Sequence, residues 1–379
     1  MRQALAAAAI MLAGISSTAA EAADPIRIGS FLAVTGPAAF LGEPEKKTLE
    51  LYVQRINEAG GVLGRPLELT LYDTGGNAKD AVTYVRRLLE QDGVDFLLGG
   101  TTTGDTMAVL QLVEQAGKPF ISLAGASVIV EPVRPWVFKT PHSDRMAVEK
   151  VYADMQERGL DEVGLIAGAG GFDKSCLAEA AAMAGKHKIT VKAEEQYGQS
   201  DTDVTPQLSK IKAAGVEAVL FCGFGAPSTI VTRNFAQLDM GVPLYHSHGS
   251  CSKQFITGSG AAAEGARLPC AALVVADQLP PEDPQREVAL AYVEAYQAAY
   301  GEDVSTFGGH AYDALHRLVD AIGRAGSTEP EAVRSALEST RNFIGVDGIF
   351  NMTPEDHMGL GPESFKMVEV QDGGWKYLY

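Results

Sequence analysis

The stretch Ile26-Arg27-Ile28-Gly29-Ser30-Phe31-Leu32, followed by Thr35-Gly36-Pro37 and then by Leu49, Tyr52, Val53 and Ile56, decides the fold. The first seven residues are an apolar strand. The later four fall at i, i+3, i+4 and i+7, one face of an amphipathic helix, which Gly60-Gly61 ends. The same cycle repeats outward. Leu67, Leu69 and Leu71 alternate along a second strand, Ala81 to Leu89 form a second helix, and Val94–Leu98 form a third strand ending in Gly99-Gly100. A helix over Met107–Val113 and strands at Phe120–Leu123 and Trp136–Phe138 complete a first set. A second set opens with a helix at Met146–Met155 and a strand at Val163–Ala167, and continues through strands at Ala218–Cys222 and Pro243–His246. Three helical stretches follow near Glu287–Ala299, Phe307–Ala325 and Pro330–Ser339. Alternation of strand and helix on this scale is the pattern of α/β proteins with parallel sheets covered on both faces.

At 379 residues the chain exceeds one domain of roughly 100–200 residues, so two similar lobes are expected. Apolar residues make up 46% and charged residues 21%, an ordinary globular composition. The formal net charge of −17 disfavours nucleic acid and anionic membranes as partners, because both repel an acidic surface. Residues 1–22 read as a secretory signal peptide. A basic start precedes the apolar Ala4–Ala13 run and an Ala20-Glu21-Ala22 cleavage site, which places the mature chain in the periplasm. Cys176, Cys222, Cys251 and Cys270 then lie in an oxidising compartment, where three pairings are open.

Thr102-Thr103-Gly104 stands between a strand's carboxyl end and a helix start, where open α/β sheets bind ligands. Free N–H groups there favour an anion; the alternative is that the threonines only cap the helix. The small residues of Ser122-Leu123-Ala124-Gly125-Ala126-Ser127 permit close backbone approach to a ligand. His246 and His248 are two apart at a strand end, so both side chains can face one way. That spacing fits a metal or a ligand-facing pair. A tetrahedral metal site needs three or four ligands, so neither metal nor cofactor is expected. Gly168-Ala169-Gly170-Gly171-Phe172-Asp173 has Asp173 where a dinucleotide fingerprint needs its third glycine, and no hydrolase elbow, zincin motif or Walker loop occurs. The chain is not expected to be an enzyme.

In Ile26-x-Ile28-Gly29, Ile56-Asn57-x-x-Gly60-Gly61, Tyr72-Asp73-Thr74, Gly99-x-x-Thr102-Thr103-Gly104-x-Thr106, Pro119-x-Ile121-Ser122 and Tyr312-Asp313-Ala314, the sequence resembles the leucine/isoleucine/valine-type substrate-binding proteins of ABC importers. The resemblance implies two doubly wound lobes of the type I periplasmic-binding fold, joined by three crossovers near Lys139–Ser143, Ala276–Pro280 and Asn342–Val346. Residues 23–140 plus 278–343 would form the first lobe and 141–277 plus 344–379 the second. It implies a monomer that delivers a ligand to a membrane permease. A sensory receptor of the same fold, feeding a signalling partner, is the alternative.

The resemblance also assigns residues. Thr102, Thr103 and Gly104 would grip a ligand carboxylate. Ala124 corresponds to a backbone acceptor, and Ala126 stands where a hydroxyl residue is usual, so that Ser127 is a candidate substitute. Leu41 beside Phe40, Phe172 and Phe224 stand where the family carries cleft tyrosines. His248, in Ser247-His248-Gly249, replaces the acidic residue that pairs a ligand ammonium. A buried ammonium without an anionic partner costs several kcal/mol, so the expected cargo is an aromatic or hydrophobic carboxylate. Branched-chain or other amino acids and amides are the alternative.

Overall fold

The computed structural model describes residues 24–198 and 200–379; the signal peptide expected over 1–22 lies outside them. The first sheet contains β1 (Ile26–Leu32), then, after α1 (Ala39–Glu58), β2 (Leu67–Asp73). After α2 (Ala78–Glu90) comes β3 (Phe96–Gly99), and after α3 (Thr103–Ala116) come β4 (Phe120–Ser122) and β5 (Val137–Lys139). Its order is β2-β1-β3-β4-β5, parallel throughout. A strand sequence of this kind needs crossover helices on its faces, which the amphipathic segments supply.

The second sheet follows. Along the chain run α4 (Asp144–Glu157), β6 (Glu162–Ala167), α5 (Gly171–Ala184), β7 (Thr190–Gln196), α6 (Thr205–Ala213) and β8 (Ala218–Cys222). Then come α7 (Ala226–Gln237), β9 (Leu244–His246), α8 (Lys253–Ser259) and β10 (Arg267–Ala271). Helices α9 (Gln285–Tyr300), α10 (Thr306–Ala325) and α11 (Pro330–Glu338) return to the first sheet, where Tyr292, Leu315, Leu318 and Leu337 share one core with Ile28, Leu49 and Phe96. Tyr52 of α1 packs edge-on to Tyr312 of α10 at 4.7 Å. The chain ends in the short pair β11 (Phe343–Ile344) and β12 (Ile349–Phe350), then β13 (Phe365–Gln371) and β14 (Gly374–Tyr377).

The second sheet's order is β14-β13-β10-β9-β8-β6-β7. It is parallel from β7 to β10, and β13 and β14 add an antiparallel edge, which strand periodicity alone does not distinguish. Residues 351–359, assigned by sequence to the second lobe, lie against the first sheet. Met352 joins its core, the His357 ring stacks on Phe138 at 4.1 Å, and Lys139 donates its N–H to the His357 carbonyl at 3.1 Å. The reason is that β5 leaves a free edge, and this segment supplies the carbonyl that satisfies it.

The cysteines pair as Cys176–Cys222 and Cys251–Cys270. The first ties α5 to the end of β8; the second ties the loop after β9 to β10. Closing loops of 46 and 19 residues removes unfolded-chain entropy worth about 4 and 3 kcal/mol. No helix among the described residues is long and apolar enough to cross a membrane.

Candidate ligand-binding site

The carboxyl ends of both parallel sheets face each other, and the turns leaving them meet around one cavity. At the β3–α3 turn, Gly100 has φ +69°, and a Cβ there would collide with the Thr106 hydroxyl and press on the Phe120 ring, so only glycine fits. Three successive threonines then take different roles. Thr101 Oγ1 accepts the Ala33 N–H at 3.0 Å and bonds Glu45 Oε2 at 2.5 Å. Thr102 caps α3, its Oγ1 accepting from the Asp105 N–H at 3.1 Å. Thr103 is left: among the described residues its hydroxyl and N–H, and the Gly104 N–H, have no protein partner. The capping hydroxyl and the unpartnered one therefore sit on neighbouring residues. Burial pushes the Glu45 carboxyl well above its usual range, opposed by the Thr101 hydrogen bond and reinforced by the Asp105 charge. It is thereby kept from opposing an anion at this turn.

From the other half, the N-terminus of α5 comes close. A Cβ on Gly171 would lie 3.4 Å from Thr103 Cγ2 and 3.6 Å from the Gly104 nitrogen. Two helix N-termini thus confront each other, and their partial positive charges favour an anion between them.

The cavity has a volume of ≈ 40 Å3 in this closed form, far below the roughly 300–1,000 Å3 of small-molecule sites, so its walls must part to admit a ligand. Its walls are Leu41, Leu123, Phe172, Phe224 and Phe307, with Thr101, Thr102 and Thr103 at one end and His248 and His310 among the remaining lining residues. Phe172 meets Phe224 at 5.9 Å and His248 at 5.2 Å, both edge to face. Among the described residues no acidic side chain lines it. A larger open groove runs past Cys251 and Trp375, but its Lys253 and Asp303 are paired with each other.

Of the residues assigned by sequence, Leu41, Thr102, Thr103, Phe172, Phe224 and His248 line this cavity. Phe40 sits behind it, 5.6 Å from the Phe307 ring and 6.4 Å from that of Phe224. Gly104 presents its N–H at the α3 start. The side chains of Ala124 and Ala126 are packed into the core with Phe31 and Phe120, and Gly125 between them lines the cavity. Ser127 is engaged elsewhere, donating to Glu179 Oε1 at 2.7 Å.

His246 and His248 part company because β9 ends at His246 and a 3-10 turn begins at His248, breaking the two-residue period. His246 is sealed between Thr232 Oγ1 and Ser250 Oγ, each at 3.0 Å. Among the described residues His248 has no protein partner on its ring, and its Nδ1 is fully buried. Burial pushes its pKa well down, helped by His142, Lys139 and His310. Among the described residues no cluster of potential metal ligands forms.

Sequence reading missed a polar stripe on α10. His310, Asp313 and Arg317 stand at i, i+3 and i+7 and are all buried. The His310 Nδ1 lies 2.7 Å from Asp347 Oδ2. Asp313 accepts the N–H groups of Val346 and Asp347 at 2.9 and 2.8 Å. Arg317 donates to the Lys139 carbonyl at 3.1 Å, and the Lys139 ammonium donates to the carbonyls of Pro141, His142 and Gly125. Burial pushes Lys139 down to about 7, against the pull of Asp144 and Asp347. This network fixes two of the three crossovers to one helix face. Its signal in the sequence was the i, i+3, i+7 spacing of polar residues on a helix that is otherwise largely apolar.

The halves also touch beside the cavity. Arg145 of α4 binds Glu179 of α5 at 2.8 and 2.9 Å and Glu131 of the first half at 2.5 Å, next to the Ser127–Glu179 bond. Lys253 pairs with Asp303 on another side.

A two-lobed α/β protein closed over a cavity at its facing strand ends is a type I periplasmic-binding protein. The family model described as "Periplasmic binding protein" matches residues 25–374, and the chain belongs to that family, whose members bind solutes. It is 28% identical over 340 residues, 88% of this chain and 87% of the other, to the leucine-, isoleucine-, valine-, threonine-, and alanine-binding protein of Pseudomonas aeruginosa. It superposes on an extracellular ligand-binding receptor from Rhodopseudomonas palustris HaA2 with TM-score 0.87 and 27% identity, covering 93% of this chain and 99% of that one. A solute binding protein of an ABC transporter from Rhodopseudomonas palustris BisB5, in complex with 3,4-dihydroxy benzoic acid, shares the fold at TM-score 0.80 and 19% identity, covering 93% and 95%.

Proposed function

We propose that this protein is the periplasmic solute receptor of an ABC importer, and that it takes a small carboxylate with an aromatic or otherwise hydrophobic body. The observation that carries the ligand class is a cavity that, among the described residues, has unpartnered donors at Thr103 and Gly104, apolar rings along its walls and no acidic side chain. A carboxylate at the α3 start gains charge-assisted hydrogen bonds, and the ring faces of Phe172, Phe224 and Phe307 cover a flat body. An α-amino acid would bury an ammonium without a counter-charge, at a cost of several kcal/mol.

Ligand bridging the halves favours the closed form by its differential affinity, and that form engages the membrane permease. The second reading, branched-chain amino-acid binding, is favoured by the Pseudomonas aeruginosa relative's ligands. Thermal-shift and calorimetric titration of the mature protein decides between them. Benzoate-type acids should raise Tm with concentration, whereas tight leucine binding with no response to aromatic acids rejects the proposal.

A further inference from the structure

Both disulfides lie in the second half of the molecule, and one of them joins the two elements that carry its aromatic wall of the cavity. Phe172 and Cys176 are four residues apart in α5, so their side chains share one helix face, and both are buried. Cys222 ends β8, and Phe224 stands two residues beyond it. The bond Cys176–Cys222 therefore spans the helix and the strand whose rings, Phe172 and Phe224, meet edge to face at 5.9 Å on the cavity wall. The backbone does little to fix that meeting. The chain enters α5 through Gly168-Ala169-Gly170-Gly171, and Phe224 stands between Gly223 and Gly225, the latter at φ +71°. Glycine-flanked segments of this kind leave their strands with wide conformational freedom. Hydrogen bonds from α4 hold α5 farther along, where Arg145 donates to Glu179 at 2.8 Å and the Tyr152 hydroxyl donates to the Ala180 carbonyl at 2.9 Å. Cys251–Cys270 lies elsewhere, in a separate apolar cluster with Leu268 and Val368.

A disulfide ordinarily stabilises through the unfolded chain, a role that leaves the folded site as it was. Resting on the reading of this cavity as the ligand site, but not on the class of ligand, we infer that Cys176–Cys222 is also a positioning bond: it presets the Phe172–Phe224 spacing, so that the second half meets the ligand with its wall already formed. Without the bond the two rings are ordered only as ligand binds, and the cost of that ordering is subtracted from affinity. Ligand capture then requires the oxidised cysteine pair as well as the folded chain.

Hydrogen exchange and calorimetry on the mature protein test this in Cys176→Ala/Cys222→Ala and, for comparison, in Cys251→Ala/Cys270→Ala, each well below its own Tm. Both variants should lose Tm. In the first alone, the amides of Lys174–Leu177 and Gly223 should exchange at least tenfold faster than in the native protein. Affinity for whichever probe the native protein binds, benzoate or leucine, should fall about tenfold. In the comparison variant, exchange at these amides and affinity should both stay within about twofold of native. A lowered Tm in the first variant with exchange and affinity unchanged overturns the inference, as does an equal rise in exchange in both variants. Cys176→Val/Cys222→Ala refills the space of the sulfurs without the bond, and native exchange and affinity in it would assign the wall to packing instead. If substitution prevents folding, the wild-type chain refolded under a reductant should show the same rise in exchange at Lys174–Leu177 and Gly223; failure of that chain to fold assigns the bond to folding alone and counts against a role at the site. Leucine bound in place of benzoate rejects the proposed ligand class and leaves this inference to the same measurements, since exchange is read without any ligand.

Discussion

At the scale of single residues, the three threonines after β3 show how one motif divides into unlike tasks. The Thr102 hydroxyl is bonded to the Asp105 N–H and the Thr103 hydroxyl has no partner among the described residues, so truncating each should have a different effect. Thr102→Ala is expected to lower stability by about 1 kcal/mol, the usual value of an N-cap, read as a reduced Tm without ligand. Thr103→Ala should leave that Tm nearly unchanged and weaken carboxylate binding about tenfold, the value of one charge-assisted hydrogen bond, measured by calorimetry. Equal effects of both substitutions would contradict the division. Sequence placed both threonines at the helix start but left capping and binding open, because which hydroxyl turns inward depends on backbone angles. Leu41, Phe172 and Phe224 were likewise legible as apolar replacements at resembling positions. Ala124 and Ala126 were not readable as core, because small side chains are compatible with either a wall or a ligand contact.

At the scale of elements, β9 and α10 carry the buried polar groups. Burial holds His246 down to about 3, whereas in the unfolded chain it titrates near its ordinary value of about 6.5. The folded form therefore binds fewer protons between these values. Its contribution is complete above about pH 6.5 and is lost as pH falls toward 3, at about 1.4 kcal/mol per pH unit. His246→Gln should accordingly show a shallower loss of Tm between pH 6.5 and 4.5 than the native protein, by roughly 2.5 kcal/mol over that window. Parallel curves would refute the assignment. On α10, Asp313→Ala strips two crossover N–H groups of their acceptor and should cost about 3 kcal/mol, seen in the denaturation midpoint. The amphipathic period of α10 was plain in the sequence. That its buried face carries a histidine, a carboxylate and a guanidinium directed at two crossovers was not, because their partners are distant in the chain.

At the scale of the whole molecule, closure is held beside the cavity by Ser127, Glu131, Arg145 and Glu179. Glu179→Ala removes the acceptor shared by Ser127 and Arg145. The expected result is a shift toward an open form, with ligand affinity lowered about three- to tenfold through the conformational equilibrium and a larger radius of gyration by small-angle scattering before ligand is added. An unchanged radius together with unchanged affinity would show that these contacts do not govern closure.

The sequence by itself determined the alternation of strands and helices, two similar lobes and the strand-end position of the Thr102-Thr103-Gly104 turn. These follow from local periodicity and from the chirality and burial rules of parallel sheets. Only the tertiary structure decided which cysteines pair, which threonine remains free, that residues 351–359 complete the edge of the first sheet, and that His248 and His310 meet at one cavity. Each of these depends on which groups are brought together from distant parts of the chain, and on which polar atoms burial leaves without a partner. Neither is encoded in the spacing of neighbouring residues.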